Sequence, residues 1–294
     1  RLYKPKSILC FPLGWHSIIA IAAKFAGVKN VCAHAGNPAH NINKNIFWKF
    51  SLLIQIGRPF TNKIICCSNY IQKSIIESFS LSNNETATIY NSYDEDKFIF
   101  RNDYKLKGKE NSSEEIVIGM VGRLEQHKDQ ESLIRAVKIL KDNRIKIKLL
   151  LIGDGTLRFK LKQLTRELNL IDQVIFLGSR NDIETILEKL DIFVFSTTED
   201  EGFGIALAEA MAKGIPIIAS NVEACREVLL NGKCGLLFKP HSPDSIANTI
   251  NQALIDHENN IKRIFEAFSH ASNNFTKKKM AKLYLEELIN KKNA

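Results

Sequence analysis

The chain has 294 residues, 45% of them hydrophobic and 25% charged, which is the composition of a globular protein long enough for two domains. No apolar run is long enough to span a bilayer, because Lys24 and Lys49 interrupt the runs around them. The six cysteines form no Cys-x-x-Cys pair and have no His at ligand spacing. This pattern predicts reduced core cysteines of a cytosolic protein and no metal site.

The net charge of +9 is concentrated in the first part of the chain. Residues 1–110 contain 15 Lys and Arg against 7 Asp and Glu. A solvated surface explains such an excess, and so does contact with anionic phospholipid headgroups, a diphosphate-linked acceptor or nucleic acid. No zinc finger or aromatic RNA-binding signature accompanies the charge, so we expect no nucleic-acid partner. Because the first residue is Arg rather than Met, we expect the sequence to begin inside a longer product.

Short apolar runs alternate with helical patterns through the first hundred residues. This alternation predicts a parallel sheet with helices on both faces. The predicted strands are residues 7–11, 28–33, 63–67 and 87–90, and the predicted helices are residues 16–27, 44–57 and 69–79.

The predicted helix 44–57 is apolar almost all round, with basic residues at its ends. A helix of this kind is usually buried in the protein core. Its basic flanks also fit a peripheral contact with an anionic membrane. Both interpretations stay open at this point.

A second alternation begins at Ile116, after a polar, charge-dense stretch over residues 101–115 that we interpret as the interdomain linker. It predicts a second parallel α/β domain of the dinucleotide-binding type. Its predicted strands are residues 116–121, 146–152, 173–177, 191–196, 215–219 and 235–238. Its predicted helices are residues 130–141, 157–168, 182–189, 204–213, 223–230 and 243–256, followed by an amphipathic run over residues 277–291.

Residues 199–220 read as a loop, a helix, a turn and a strand, and they organise the second domain. Gly202 and Gly204 precede an Ala- and Leu-rich helix that ends at Gly214. The start of this helix is therefore bare backbone with N–H groups available to a ligand. Such an end is a natural seat for phosphate or another anion.

Glu201 and Glu209 frame this helix start with seven residues between them. They cannot form an i, i+4 surface pair, so they must act separately. The run Glu-Gly-Phe-Gly-Ile-Ala-Leu-Ala-Glu resembles the E-x7-E signature of retaining glycosyltransferases of family 4, which have the GT-B fold and use nucleotide-sugars. The resemblance implies that Glu201 lies by the donor sugar and that Glu209 binds the nucleotide ribose. The alternative is an amphipathic helix with two solvated glutamates.

A second motif, Gly122-Arg123-Leu124 followed by Lys128, comes directly after the predicted strand 116–121. It is similar to the same family's Gly-Arg-Leu and Lys, whose two cations hold the donor diphosphate. A departing nucleoside diphosphate develops negative charge, which two cations and a helix end can stabilise. Either cation alone would be read as a solvated surface residue.

The same resemblance implies roles for several further residues. His34, directly after the predicted strand 28–33, would face the reaction centre; capping a neighbouring backbone group is the alternative. Ser179 and Arg180 would lie where backbone groups grip the base. The remaining donor-binding candidates are Gly202 and Phe203, with the backbone of Gly204, Ile205, Ala206 and Leu207. Gly153-Asp154-Gly155 lacks the third glycine of a dinucleotide signature, and we interpret it as a tight turn.

Together these patterns predict a GT-B protein of two Rossmann-like domains, with parallel sheets facing across a cleft and the first domain incomplete. The predicted divisions are an acceptor-side domain (residues 1–100), a linker (101–115), a donor-binding domain (116–270) and a C-terminal helix that packs back on the first domain (271–294).

The predicted activity is retaining transfer of a hexosyl unit from a nucleotide-sugar to a glycan or lipid-linked acceptor, with no metal and no cofactor. We expect a cytoplasmic protein at the inner face of the membrane. The alternatives are a non-catalytic nucleotide-sugar-binding subunit and a GT-B sugar-nucleotide epimerase.

Overall fold

The computed structural model describes residues 5–101 and 115–289, so the interior of the predicted linker lies outside the described residues. The chain divides into two compact units. The first comprises Arg1–Ser92, Asp200–Phe203 and Lys277–Ala294, and the second comprises Tyr93–Glu199 and Gly204–Thr276. No helix in the described ranges combines the length and apolarity needed to cross a membrane.

The first unit is built on a four-stranded parallel sheet in the order β1-β2-β3-β4. The strands are β1 (Ser7–Cys10), β2 (Asn30–Ala35), β3 (Lys63–Cys66) and β4 (Thr86–Thr88), and the helices between them are α1 (His16–Phe25), α2 (Lys44–Gly57) and α3 (Asn69–Phe79). The predicted alternation is confirmed. The boundary of β2 differs from the prediction, since His34 lies within the strand rather than after it.

Helix α2 has the predicted bounds but is not buried all round. Ile54 is buried, and Phe47 and Phe50 pack against Phe79 of α3. Trp48 and Leu52 lie on the opposite side and are exposed. The expectation of a fully buried helix is therefore wrong, because neighbouring elements cover only one of its apolar faces.

The second unit contains a six-stranded, wholly parallel sheet in the order β10-β9-β8-β5-β6-β7. The strands are β5 (Ile116–Val121), β6 (Ile147–Ile152), β7 (Val174–Gly178), β8 (Ile192–Phe195), β9 (Ile217–Ser220) and β10 (Leu236–Phe238). The helices are α4 (Gln130–Asp142), α5 (Arg158–Glu167), α6 (Ile183–Leu187), α7 (Ile205–Lys213), α8 (Glu223–Val228), α9 (Pro243–Ile255) and α10 (His257–Asn274).

This strand order has one point where the chain reverses its direction across the sheet. From β5 the chain moves outward through β6 to β7, and it then returns to the other side of β5 to form β8. The segments that follow β5 and β8 therefore begin beside each other at the carboxyl edge of the sheet. Open α/β sheets bind their ligands at this position.

The last helix, α11 (Lys277–Ile289), belongs to the first unit. Its apolar side, with Leu283, Tyr284 and Leu288, packs on a core of Cys32, Ile65 and Ile89 from that unit's sheet. The Asn30 side-chain amide fixes the helix end by donating to the carbonyls at its last turn. This helix therefore completes one face of the first sheet.

All six cysteines are buried and none is in a disulfide, as expected from their apolar surroundings. Burial raises the pKa of the Cys32 thiol to about 12, so this thiol stays protonated and packs as a small hydrophobic group.

Candidate functional site

The loop after β5 is fixed against the segment after β8. Lys128 ends a short 3-10 turn, and its carbonyl accepts a hydrogen bond from Oγ of Ser196 at 2.8 Å. The carbonyl of His127 accepts two hydrogen bonds, each at 2.9 Å. One comes from the hydroxyl of Thr197 and the other from the backbone N–H of Thr198. These bonds join the two loops at the point of strand reversal.

The side chain of Lys128 and the start of α7 meet at one aromatic ring. The Lys128 ammonium lies 4.8 Å from the centroid of Phe195, the last residue of β8. Gly204, the N-cap of α7, has φ +85°, and a Cβ there would lie 3.1 Å from the same ring. A lysine cation and the positive end of a helix dipole therefore both lie against the Phe195 ring at the carboxyl edge of the sheet.

Within the first turn of α7 the backbone donors differ. The N–H of Leu207 donates to the carbonyl of Gly204 at 2.9 Å, so this predicted donor is used inside the helix. Helix geometry leaves the N–H groups of Ile205 and Ala206 without intrahelical acceptors. These two are the backbone groups of α7 suited to an anion.

Gly122 and Arg123 precede the Lys128 turn. The aliphatic part of Lys128 passes 3.7 Å from where a Cβ of Gly122 would be, so the residue at 122 lies against the lysine stem. The buried side chain of Gln130 donates to the Arg123 carbonyl at 2.8 Å and holds the loop, while the Arg123 side chain is exposed. The guanidinium is thus presented from a fixed backbone.

Glu209 lies in the second turn of α7 and is partly buried. Burial raises the pKa of its carboxyl to about 7, with a further contribution from the Glu184 carboxylate on α6. A carboxyl group tuned to neutral pH can change its charge when a ligand approaches.

Ser179 and Arg180 follow β7, which β6 separates from β5 in the sheet. The Arg180 guanidinium binds Asp182 through two contacts of 2.8 and 2.7 Å, and both side chains are largely exposed. The structure therefore places Ser179 and Arg180 at the edge of the sheet, away from the cluster around Phe195.

Glu201, Gly202 and Phe203 belong to the first unit, although Gly204 begins a helix of the second. The carbonyl of Gly202 accepts a hydrogen bond from Oγ of Ser68 at 2.7 Å. A Cβ on Gly202 would collide with the carbonyl oxygen of Gly36, so this glycine allows the backbones to touch. Its role is packing of the loop rather than access for a ligand.

The other side chains of this loop are anchored in the same unit. Phe203 is buried, with its ring 5.9 Å from that of Tyr90. Asp200 lies 3.2 Å from Nε2 of His40. Because its neighbours are fixed on both sides, Glu201 is held in a defined position on the first unit. The buried Phe203 side chain can offer a ligand only its backbone.

His34 lies near the carboxyl end of β2. Its Nδ1 is 2.9 Å from the hydroxyl of Tyr284 on α11, and its ring packs at 4.8 Å on Phe11. Burial lowers the pKa of His34 and raises that of Tyr284 to about 12. Both side chains are therefore neutral at neutral pH.

A cavity of about 540 Å³ opens beside His34 at the carboxyl edge of the first sheet. Its walls come from the end of β2, from the loops after β1 and β2 and from α2 and α3, and they are mainly apolar. The lining side chains include Phe11, Trp15, Asn37 and Phe50. The cavity can accept a ligand with a large apolar surface.

Several residues of these sites have only weak sequence signals. Tyr284 stands alone in an amphipathic helix and nothing nearby marks it. Ser196 and Thr197, by contrast, are polar residues at the end of an apolar strand, a pattern typical of the ligand edge of a parallel sheet. Within the described ranges, no three His, Cys, Asp or Glu side chains are grouped so as to hold a metal ion.

Residues 102–275, more than half of the chain, match the family described as Glycosyl transferases group 1. An uncharacterized glycosyltransferase of Methanocaldococcus jannaschii is 30% identical over 236 residues, which cover 77% of this chain and 59% of that protein. The UDP-Gal:alpha-D-GlcNAc-diphosphoundecaprenol alpha-1,3-galactosyltransferase of Escherichia coli is 28% identical over 287 residues, or 92% of this chain and 73% of that protein.

The chain spans between about half and three quarters of the length of the curated relatives it matches. Among solved structures, HepE of Anabaena in complex with UDP and glucose aligns with a TM-score of 0.84 and 23% identity, covering 97% of this chain and 78% of that one. This likeness extends over both parallel sheets and shows the fold. The chain therefore belongs to the glycosyl transferases group 1 family and has its GT-B fold.

Proposed function

We propose that this protein is a retaining glycosyltransferase of the family 4 type, which moves a hexosyl unit from a nucleotide-sugar to a lipid-linked or glycan acceptor. The observation that carries the proposal is the meeting of Lys128 and the start of α7 at the Phe195 ring, at the carboxyl edge of the sheet where β5 and β8 are neighbours. Two positive groups beside each other suit a diphosphate.

In this proposal each group has a separate task. Arg123 and Lys128 bind the donor diphosphate, and the N–H groups of Ile205 and Ala206 donate to it. Glu209 accepts hydrogen bonds from the ribose hydroxyls. Ser179 and Arg180 stay candidates for the base. The complex of HepE with UDP and glucose supports a uridine nucleotide as the first donor to test.

The reaction needs no dedicated nucleophile on the protein. The bond between the anomeric carbon and the diphosphate oxygen breaks, and the acceptor oxygen bonds to the same face of that carbon. The acceptor proton goes to the departing phosphate oxygen, whose charge the two cations and the helix end stabilise, so the proposed mechanism requires no metal. Glu201 orients the sugar and His34 lies near the acceptor. Double displacement through a carboxylate is the competing mechanism.

The names of two relatives support a lipid-linked acceptor. The Escherichia coli enzyme acts on a diphosphoundecaprenol-linked sugar, as does a 4-alpha-N-acetylgalactosaminyltransferase of Campylobacter jejuni that is 28% identical. Acceptors of that kind are anchored in a membrane. We therefore propose that the protein works at the cytoplasmic face of the membrane in the synthesis of a surface polysaccharide or glycolipid.

The decisive experiment combines Arg123→Ala with Lys128→Ala. We expect the double variant to lose UDP-induced stabilisation and at least about a hundredfold in donor turnover, because charged hydrogen bonds to phosphate contribute about 1.5–3 kcal/mol each. The readouts are the thermal midpoint with and without UDP, GDP or ADP, and release of nucleoside diphosphate with acceptor present.

Arg135→Ala serves as the matched control, because it removes a surface cation that pairs with Glu131 on the same helix. Its nucleotide response should equal that of the parent protein. Retained turnover in the folded double variant would refute the diphosphate assignment. Donor binding without any release of diphosphate would instead favour a non-catalytic binding subunit.

A further inference from the structure

Asp129, the residue directly after Lys128, combines an uncommon backbone conformation with an almost buried carboxylate. Its backbone is left-handed, with φ +45° and ψ 39°, which few residues other than glycine adopt. Its side chain is 8% exposed. A covered carboxylate on a strained backbone persists only where other contacts hold it, and such residues are concentrated at functional sites. The contacts of Asp129 therefore decide what it does.

The carboxylate of Asp129 bonds to two elements. Its Oδ1 accepts a hydrogen bond at 2.9 Å from the hydroxyl of Ser132 in the first turn of α4. Its Oδ2 accepts one at 3.3 Å from the backbone N–H of His241 and lies 3.4 Å from Nδ1 of the same residue. His241, in the loop after β10, is also left-handed, with φ +54°. We call the contacts of Asp129 with Ser132 and His241 the clamp.

The clamp connects the starts of two neighbouring helices. Asp129 is the N-cap of α4, and His241 comes just before Ser242, the N-cap of α9. Helices α4 and α9 pack side by side, and both start at the carboxyl edge of the parallel sheet, because each follows a strand. The carboxylate therefore lies at the positive ends of two helix dipoles, which stabilise its charge.

The clamp also holds the backbone of Lys128 from one side. The Lys128 carbonyl is bonded to Oγ of Ser196, after β8. The Asp129 N–H closes the turn by donating to the carbonyl of Gln126 at 3.3 Å. The peptide unit between Lys128 and Asp129 is thus fixed toward β8 by its carbonyl and toward α4 and α9 by the clamp. This fixes the direction in which the Lys128 side chain leaves the backbone toward the Phe195 ring.

Asp129 itself is poorly placed to bind a ligand, because both carboxylate oxygens are engaged and the side chain is nearly covered. As a charge alone it would oppose an anionic ligand at Lys128. We infer that Asp129 is a positioning residue, which fixes the Lys128 turn to the starts of α4 and α9 and so directs the Lys128 cation. The use of that cation for a diphosphate rests on the proposed function, whereas the clamp rests on these contacts.

The first test needs no ligand. The Phe195 ring is 4.8 Å from the Lys128 ammonium, so its ring current displaces the Cε methylene signals of Lys128 from those of a solvated lysine. In protein labelled with carbon-13 lysine, these signals are assigned by their loss in Lys128→Arg. We expect them to move to the solvated position in Asp129→Gly, because glycine permits the left-handed backbone but removes the clamp.

Asp129→Asn is the conservative variant. Asn tolerates the left-handed backbone, and its amide can accept from His241 and donate to the Ser132 hydroxyl, which both donates and accepts. The Lys128 signals should therefore stay at the parent position. Asn169→Gly is the matched control, because Asn169 is another left-handed residue of the second unit, with φ +55°. It should change neither the Lys128 signals nor nucleotide binding.

The second test measures UDP affinity by calorimetric titration. Asp129→Gly should weaken binding about tenfold, and Lys128→Ala should cost much less in that background than in the parent, because residues that act through each other are not additive. Glu209→Gln changes α7, which packs on α6 and α10, and should cost the same in both backgrounds. Asp129→Asn should bind UDP at least as tightly as the parent, because it loses only the opposing charge.

Lys128 signals that stay in place in Asp129→Gly would overturn the inference. Ser132→Ala removes one bond of the clamp and should move the signals part of the way; it replaces Asp129→Gly if that variant does not fold, and unmoved signals there would have the same meaning.

The affinities can also overturn the inference. Tighter UDP binding by Asp129→Gly would show that Asp129 is only a repulsive charge, and additive losses with Lys128→Ala would show that it is only a helix cap. If Lys128→Ala by itself bound UDP like the parent, the diphosphate assignment would fail, while the Lys128 signals would still test the clamp.

Discussion

His34 and Tyr284 form a hydrogen-bonded pair in which each residue limits the other's chemistry. Because burial keeps Tyr284 protonated and His34 neutral, the hydroxyl can donate to Nδ1, which leaves the imidazole proton on Nε2. In this arrangement His34 donates a hydrogen bond from Nε2 and does not act as a base. Tyr284 is then a positioning residue for the histidine.

Tyr284→Phe tests this arrangement. We expect turnover to fall by about tenfold with an unchanged KM for the donor, because the histidine would lose its fixed tautomer and orientation. Nitrogen-15 chemical shifts of His34 should change from a single Nε2–H tautomer to a mixture. Tyr90→Phe, which removes a hydroxyl that accepts a hydrogen bond from Asn69 and keeps the ring, is the control. An unchanged tautomer in Tyr284→Phe would show that the hydroxyl does not set it.

Glu209 gives donor binding a pH dependence of predictable sign. With a pKa of about 7 the carboxyl is mostly protonated at pH 6 and mostly ionised at pH 8. The ribose hydroxyls donate best to the ionised form, so UDP affinity should rise by up to about tenfold between these values. Glu209→Gln should flatten the profile, as measured by calorimetric titration.

The same group affects stability in the opposite direction. A carboxyl whose folded pKa lies above its unfolded value of 4.5 costs stability as the pH rises toward 7. Glu209→Gln should therefore melt at a higher temperature than the parent at pH 8 and similarly at pH 4. Glu184→Gln is the control, since removing this carboxylate should move the Glu209 profile to lower pH. If the affinity of the parent protein for UDP did not change between pH 6 and pH 8, Glu209 would be excluded from the ribose site.

Single site residues could be predicted from the sequence where a local pattern and a chemically suitable residue type occur together. The helix start at Gly204 and the cations Arg123 and Lys128 could be predicted because each follows a strand and has a charge or a glycine. Tyr284 could not, because its partner His34 lies 250 positions away and only the fold brings them together.

The loop Asp200–Phe203 depends on one glycine for its path. Gly202→Ala would press a methyl group on the Gly36 carbonyl, which cannot move without distorting the end of β2. We expect about 1–3 kcal/mol of lost stability and a larger loss of turnover, because Glu201 would shift with the loop. Chemical denaturation and diphosphate release are the measurements.

Gly122→Ala provides the comparison for stability. A Cβ at Gly122 meets nothing nearer than Lys128 Cδ at 3.7 Å, which is ordinary contact, so this variant should unfold near the parent's midpoint. If Gly202→Ala unfolded like Gly122→Ala, the loop would have room to relax and the anchoring argument would fail.

Among the helices, α2 and α10 show two different limits of prediction. The bounds of α2 followed from its pattern, but its covered face could not be chosen because apolar residues occur all round. Helix α10 was not predicted, since a stretch rich in Asn, His and Glu hides its apolar positions. Ile264 and Ala271 lie seven residues apart on its buried side, and that spacing was the available signal.

For the whole molecule, the alternation of strands and helices was enough to predict two parallel sheets. It was not enough to predict the strand order, because any order of parallel strands gives the same alternation. The order places the loops after β5 and β8 next to each other, and it is this adjacency that turns two separate motifs into one candidate site.

The division into units also shows why sequence position is a poor guide to where Glu201 is held. Residues Asp200–Phe203 interrupt the second unit in sequence, yet they contact Ser68, Gly36 and Tyr90 of the first unit. If residues 93–276 were produced by themselves, they would keep Lys128 and α7 but would lose all of these contacts. Such a fragment should still recognise a nucleoside diphosphate, whereas its Glu201 carboxylate would no longer be held in place for the sugar.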